Sequence, residues 1–110
     1  MSNLDLAPHN PAPVFAALGD ETRLSLLRKL SSGQPLSIAR LSADTRLTRQ
    51  AVTKHLHVLE KAGLVGSIRI GRESRFAYRP EPLIEAKTYL DGVSAQWDDA
   101  LARLKALVEE

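Results

Sequence analysis

A chain of 110 residues with a net charge of +2 has the length of one domain. At that size folding buries only about 60–70% of the unfolded surface, so a partner subunit is a natural way to complete the core. Cysteine is absent, which excludes disulfides, thiolate metal sites and cysteine nucleophiles. With no apolar run near 18 residues and no charged-then-apolar leader, a cytoplasmic chain without a membrane span or signal peptide is expected.

In chain order, the Pro-rich start reads as a flexible tail over residues 1–12, and residues 13–110 as one domain. A short helix is expected from Val14 to Leu18. Asp20 then caps a second one, with Glu21 in its first turn and Leu24, Leu27 and Leu30 toward the core, before Ser31-Ser32-Gly33 and Pro35 stop it. Ser37 caps a short helix from Ile38 to about Ala43, although Arg40 stands where a capping box would have Glu or Gln. Thr48 caps the next helix. Its Val52, Leu56 and Leu59, spaced by four and three, fall on one inward face, while Gln50, Thr53, Lys54, His57 and Lys61 form the opposite one.

After Gly63 the period changes to two. Leu64, Ile68 and Ile70 alternate with Val65, Ser67 and Arg69; Gly71-Arg72-Glu73 supplies a turn; and Phe76 and Tyr78 alternate with Arg75, Ala77 and Arg79, which makes a β-hairpin with a basic tip. Pro80 and Pro82 end it and open a long helix over about residues 81–109, whose Leu83, Leu90, Val93, Trp97, Leu101, Leu104 and Val108 follow a three-and-four rhythm. The fold class is therefore mostly α with a small β-hairpin: a winged helix-turn-helix of five helices plus a two-stranded wing.

Charge follows the same division. Residues 36–80 hold nine basic side chains (Arg40, Arg46, Arg49, Lys54, Lys61, Arg69, Arg72, Arg75 and Arg79) against three acidic, while residues 81–110 are net acidic. A basic middle beside an acidic tail is the electrostatic footprint of a nucleic-acid face on one part of a domain and a different task for the other.

The segments ALGDETRLSLLRKL (17–30), LSIARLSADTRLTRQAVTKHLHVLEKAGLV (36–65) and IRIGRESRFAYR (68–79) together resemble the ArsR/SmtB-type repressors. The resemblance implies a homodimeric transcriptional repressor that leaves its operator when an inducer binds. On this chain its recognition positions match Thr48, Arg49, Gln50, Thr53, Lys54 and His57, and its wing tip matches Arg72, Ser74 and Arg75. Those residue types suit the task by themselves: Gln50 and His57 can read base edges, while Arg49, Lys54, Arg72 and Arg75 neutralise phosphates. A two-fold protein implies a palindromic double-stranded operator. The expected dimer interface is Val14, Phe15 and Leu18 from the first helix with Leu90, Val93, Trp97, Leu101 and Leu104 from the last.

Many members of the resembled family sense metals through cysteines in the third helix or through Asp and His residues in the last. This chain has neither set, since residues 80–110 lack histidine and their aspartates, Asp91, Asp98 and Asp99, offer hard oxygen ligands without the imidazoles that select a transition metal. His55 and His57 are two apart and diverge by about 160° around a helix, so they cannot share an ion; His55 is expected half-buried and hydrogen-bonded. No metal, no cofactor and a non-metal signal are therefore expected, the inducer being unspecified by the sequence. A metal-responsive repressor with unrecognised ligands is the alternative of the same class, and a winged-helix protein–protein interaction module the alternative of another. No Gly-rich phosphate loop, nucleophile elbow or triad-like grouping supports an enzyme.

Overall fold

The computed structural model describes residues 10–109. Most of the expected tail, residues 1–9, lies outside the described residues. Its last part belongs to the fold: α1 runs Ala12–Leu18, its first amide donates to Asn10 Oδ1 at 3.0 Å, and Pro11 is the N-cap.

Four further helices follow: α2 (Glu21–Leu30), α3 (Ile38–Ser42), α4 (Arg49–Lys61) and α5 (Glu81–Glu109). Asp20, Ser37 and Thr48 cap α2, α3 and α4, each side-chain oxygen accepting from the amide three residues on, which satisfies a donor the helix itself cannot. The wing strands are β2 (Val65–Ile70) and β3 (Glu73–Tyr78), antiparallel, with Val65 opposite Tyr78 and Ile70 opposite Glu73. The two-stranded wing is as expected, but it is part of a three-stranded sheet. A two-residue strand, β1 (Leu36–Ser37), pairs with the other edge of β3, giving the order β1-β3-β2. Two residues carry no readable period, so β1 is set by the neighbouring strand rather than by local pattern.

The core joins all these pieces. Leu26 and Leu30 from α2, Leu41 from α3, Val52, Leu56 and Leu59 from α4, and Leu64, Val65 and Phe76 from the sheet are buried together. The inward face expected for α4 is the observed one. That of α2 is rotated: Leu24 is exposed and Leu26 takes its place. The turn out of α4 is fully specified, because Leu64 N–H donates to Leu59 O and Gly63 N–H to Glu60 O, both at 2.9 Å, with Gly63 at φ +81°. That Schellman pair needs a left-handed residue, which glycine adopts without strain.

The last helix is different in kind. Its 29 residues extend about 43 Å, and within it Ala86 is the single buried residue. The radius of gyration, 18.6 Å, far exceeds the roughly 13 Å of a compact chain this long, because most of α5 projects away from the core.

Candidate nucleic-acid interface

The face of α4 turned from the core is solvent-facing along its length. Thr48, Arg49, Gln50, Thr53, Lys54 and His57 line one open groove, with Ile38 from the start of α3 and Ala51 as its apolar floor. All six recognition positions expected from sequence are therefore together. Two are partly committed. Thr48 Oγ1 holds the α4 cap by accepting from Ala51 N–H at 3.0 Å, and Thr53 Oγ1 donates back to Arg49 O at 2.7 Å. Thr53 is left with a lone pair and a methyl group, suited to accept from an amino group or to touch a thymine methyl. Gln50, Lys54 and His57 take no part in hydrogen bonds among the described residues and are free to reach a base edge or a phosphate.

Lys61 keeps the angular position of Gln50, about 20° away around the helix, but stands at the far end of α4. It lies about 16 Å along the helix from Gln50 and lines recesses shared with Pro13 and Ala62, against α1 rather than beside the groove.

The wing turns on Gly71 and Arg72 alone. Gly71 has φ +64° and no other residue type among the described residues takes a positive φ, the pattern of a hairpin with glycine at its first central position. Arg72 is exposed at the tip, and Ser74 sits one step in, opposite Arg69. Arg75 is not at the tip. It lies between Ile68 and Ser37 in the sheet, and its Nε donates to Glu73 Oε1 at 2.7 Å. That pair lines a polar recess with Gln34, Ser37 and Arg40, so Arg40 joins the basic surface from α3. Sequence reasoning counted Arg40 in the basic middle of the chain but did not name it among the DNA-binding residues. The Glu73–Arg75 pair was readable, since residues two apart on a strand share a face.

His55, on the flank of α4, meets the expectation of a half-buried, bonded histidine. Arg23 Nη1 lies 3.2 Å from its Nδ1, and a guanidinium only donates, so Nδ1 accepts and the proton sits on Nε2. The same arginine donates through Nε to Ala17 O at 2.6 Å and through Nη2 to Ala16 O at 3.4 Å. It thereby satisfies carbonyls at the end of α1 while holding α4. Asp20 completes the cluster, accepting from Arg23 N–H at 3.0 Å with His55 Nδ1 at 3.8 Å from its carboxylate. The backbone hydrogen bond from Arg23 is the main reason its carboxyl is held below the usual range, helped by the nearby Arg23 charge.

At the other end of the molecule, Leu90, Trp97, Leu101 and Leu104 of α5 are exposed, Trp97 by 64% and Leu101 by 57%, and Val93 is half-buried. Phe15 of α1 meets Tyr89 of α5 with ring centroids 6.2 Å apart, and Leu18 packs on the core's edge. Val14 does not belong with them. At 6% exposure it is part of its own subunit's core, because a seven-residue helix has one inward side and Val14 shares it with Ala17.

Residues 18–67, from the end of α1 into β2, match the helix-turn-helix domain family. The uncharacterized HTH-type transcriptional regulator YuzN of Bacillus subtilis is 42% identical over 67% of this chain and 87% of its own. The HTH-type transcriptional regulator Rv2034 of Mycobacterium tuberculosis is 32% identical over 91% of this chain and 90% of its own. An ArsR-like transcriptional regulator from Rhodococcus sp. RHA1, of solved structure, superposes with a TM-score of 0.77 at 39% identity, covering 88% of this chain and 91% of that one. The chain is a winged helix-turn-helix transcriptional regulator of the ArsR family.

In this ArsR-family regulator the helix-turn-helix is α3 and α4, and the match ends inside β2. The wing tip and α5 lie beyond it. Among the described residues no helix is long and apolar enough to cross a membrane, and no three His, Asp or Glu side chains gather as a metal site. Asp91 stands 4.0 Å from Lys87, one turn away on the same helix.

Proposed function

We propose that this regulator is a homodimeric repressor that binds a palindromic double-stranded operator and is released by a non-metal signal. One observation carries the DNA-binding face: Gln50, Lys54 and His57 line a single open groove on a rigidly capped α4, flanked by a basic wing. A 13-residue helix presented in this way fits the major groove, and it offers an amide that matches adenine and an imidazole and ammonium that reach guanine or phosphate. Arg49 stands beside the N-terminus of α4, where backbone amides and the helix dipole already favour a phosphate. Arg72 at the wing tip reaches the backbone farther along, with Ser74 and Arg75 behind it.

Dimerisation is supported by the bare seam of α5. Leu90, Trp97, Leu101 and Leu104 are too large and too regular to leave in water, and burying each stabilises by about 1.5–3 kcal/mol. A second copy offers the same seam, the self-complementary arrangement of a two-fold interface. Val93, Phe15 and Leu18 border it. On this reading residues 10–109 act as one domain whose C-terminal helix is the dimerisation element, and the absence of thiols favours a signal other than a soft metal.

Selection from randomised duplexes tests the proposal. The expected result is an inverted repeat whose half-sites lie about one helical turn, roughly 34–36 Å, apart. No enrichment, or enrichment of single strands alone, sinks it in favour of a protein-docking module, and release by zinc or arsenite would favour a metal-responsive repressor.

A further inference from the structure

A groove separate from the DNA face runs between α1 and the C-terminal half of α4. Its walls are Pro13, Ala16, Ala17, Val58 and Ala62, and its polar members are Arg23 and Lys61. It holds about 510 Å³, within the roughly 300–1,000 Å³ usual for small-molecule sites. Val58 is 41% exposed there, an apolar side chain on α4 that the core leaves uncovered. No carboxylate lines the groove; Glu85 belongs to an adjoining recess beyond Lys61. Lys61 forms no ion pair among the described residues.

We infer that this groove binds a small apolar carboxylate, its tail against Ala16, Ala17, Val58 and Ala62 and its head on Lys61 and Arg23. The charge decides the class: Lys61 has no acid partner among the described residues, and Arg23, whose charge Asp20 partly offsets, adds a donor, so the lining repels an amine and leaves an alcohol without its best partner. Position argues against nucleic acid, because Lys61 is about 16 Å from Gln50 along the helix. A second copy is disfavoured as the occupant, because Phe15, the α1 residue that meets α5, lies about 100° around the helix from Ala16 and about 160° from Pro13.

The site has a consequence for α4. Arg23 bonds Ala17 O on α1 and His55 Nδ1 on α4, so a carboxylate that takes a share of its guanidinium weakens a tie between the two helices. That the ligand then alters operator affinity rests on the DNA-binding reading above; the binding itself does not.

Isotope-labelled full-length protein titrated with hexanoate, hexanol and hexylammonium tests the site directly by amide chemical shifts. Hexanoate is expected to move Ala16, Ala17, Val58 and Ala62 saturably, hexanol to bind about tenfold more weakly, the worth of one charge-assisted contact, and hexylammonium not at all. Lys61→Met should weaken hexanoate about tenfold without altering the melting temperature. Equal response to the three probes, shifts mapping elsewhere, or a groove silent in the dimer overturns the site. A protein that binds hexanoate but no duplex DNA loses the DNA reading and keeps this site, whereas one that binds DNA and ignores hexanoate does the reverse.

Discussion

The α4 face and the α5 seam are both amphipathic helices, yet one is finished within a single protomer and the other is not. Val52, Leu56 and Leu59 of α4 are wholly buried against α2, α3 and the sheet, so its polar side is held in place by a completed core. Along α5, Ala86 alone is buried, and Leu90, Trp97, Leu101 and Leu104 are exposed. On the proposed dimer, the difference separates the half that sets geometry from the half that sets assembly. A reading surface has to be rigid before its ligand arrives, while an assembly surface has to stay open until a second copy does.

The comparison breaks most severely at Leu101. Leu101→Glu puts an unpaired charge into the seam, and we expect sedimentation to show a monomer whose operator affinity has dropped by on the order of 10²–10⁴, the factor separating two linked modules from one. Trp97 emission should shift to the red in the same variant. A variant that remains dimeric and binds normally would place the interface elsewhere.

Leu56→Ala attacks the finished half instead. Removing a fully buried leucine should lower unfolding stability by about 2–5 kcal/mol. Because the dimer seam is untouched, the fraction still folded should sediment as the wild type does. Denaturant titration beside sedimentation separates the two effects.

Within the reading face, base and phosphate contacts are separable. Gln50→Ala is expected to cost about 1–3 kcal/mol and to relax preference at one position of each half-site. Arg72→Ala should weaken all sequences alike. If each protomer neutralises about four phosphates, the slope of log affinity against log salt is near −7, and the loss of Arg72 from both flattens it by about 2. An unchanged slope would remove the wing tip from the DNA contact.

Acid acts on the cap of α2. Asp20 has its carboxyl held below the usual value in the folded chain, so its contribution is present above the unfolded value and is lost as pH falls through the folded one, below about pH 4. Asp20→Asn keeps a capping side chain without the titration. Its stability at neutral pH should stay near wild type and its acid dependence should lessen. The smallest effect expected is none: zinc, cadmium, copper or arsenite at micromolar levels should leave operator affinity unchanged. A tenfold loss restored by chelator, about 1.4 kcal/mol, would show ligands that the residue pattern hides.

What the sequence made legible was whatever a helix or strand repeats. The capped α4 and its two faces follow from Thr48 and the four-and-three spacing of Val52, Leu56 and Leu59, so the groove residues were found as a group. Features set by a distant neighbour were not. Leu24 and Leu26 are equally apolar, and which one turns inward depends on where the sheet and α5 lie. The strand at Leu36–Ser37 exists because β3 has a free edge. Arg23 gives no local sign that its guanidinium serves the end of one helix and the histidine of another, since its partners are 6 and 32 residues away.

Near Gly63 three elements leave almost the same point. The recognition helix ends there, Leu64 opens the wing and its carbonyl accepts from Arg79 N–H at 2.8 Å, and a side chain on Gly63 would stand 3.3 Å from Pro82 Cγ at the foot of α5. The junction is a fulcrum with a long arm. A tilt of about 5° at its root would sweep the far end of α5 through roughly 4 Å, given the helix's length of about 43 Å. In the proposed dimer, with two such arms clasped, the far ends would be fixed, and the same small rotation would appear at the short end instead, as a change in how the two recognition helices face their grooves.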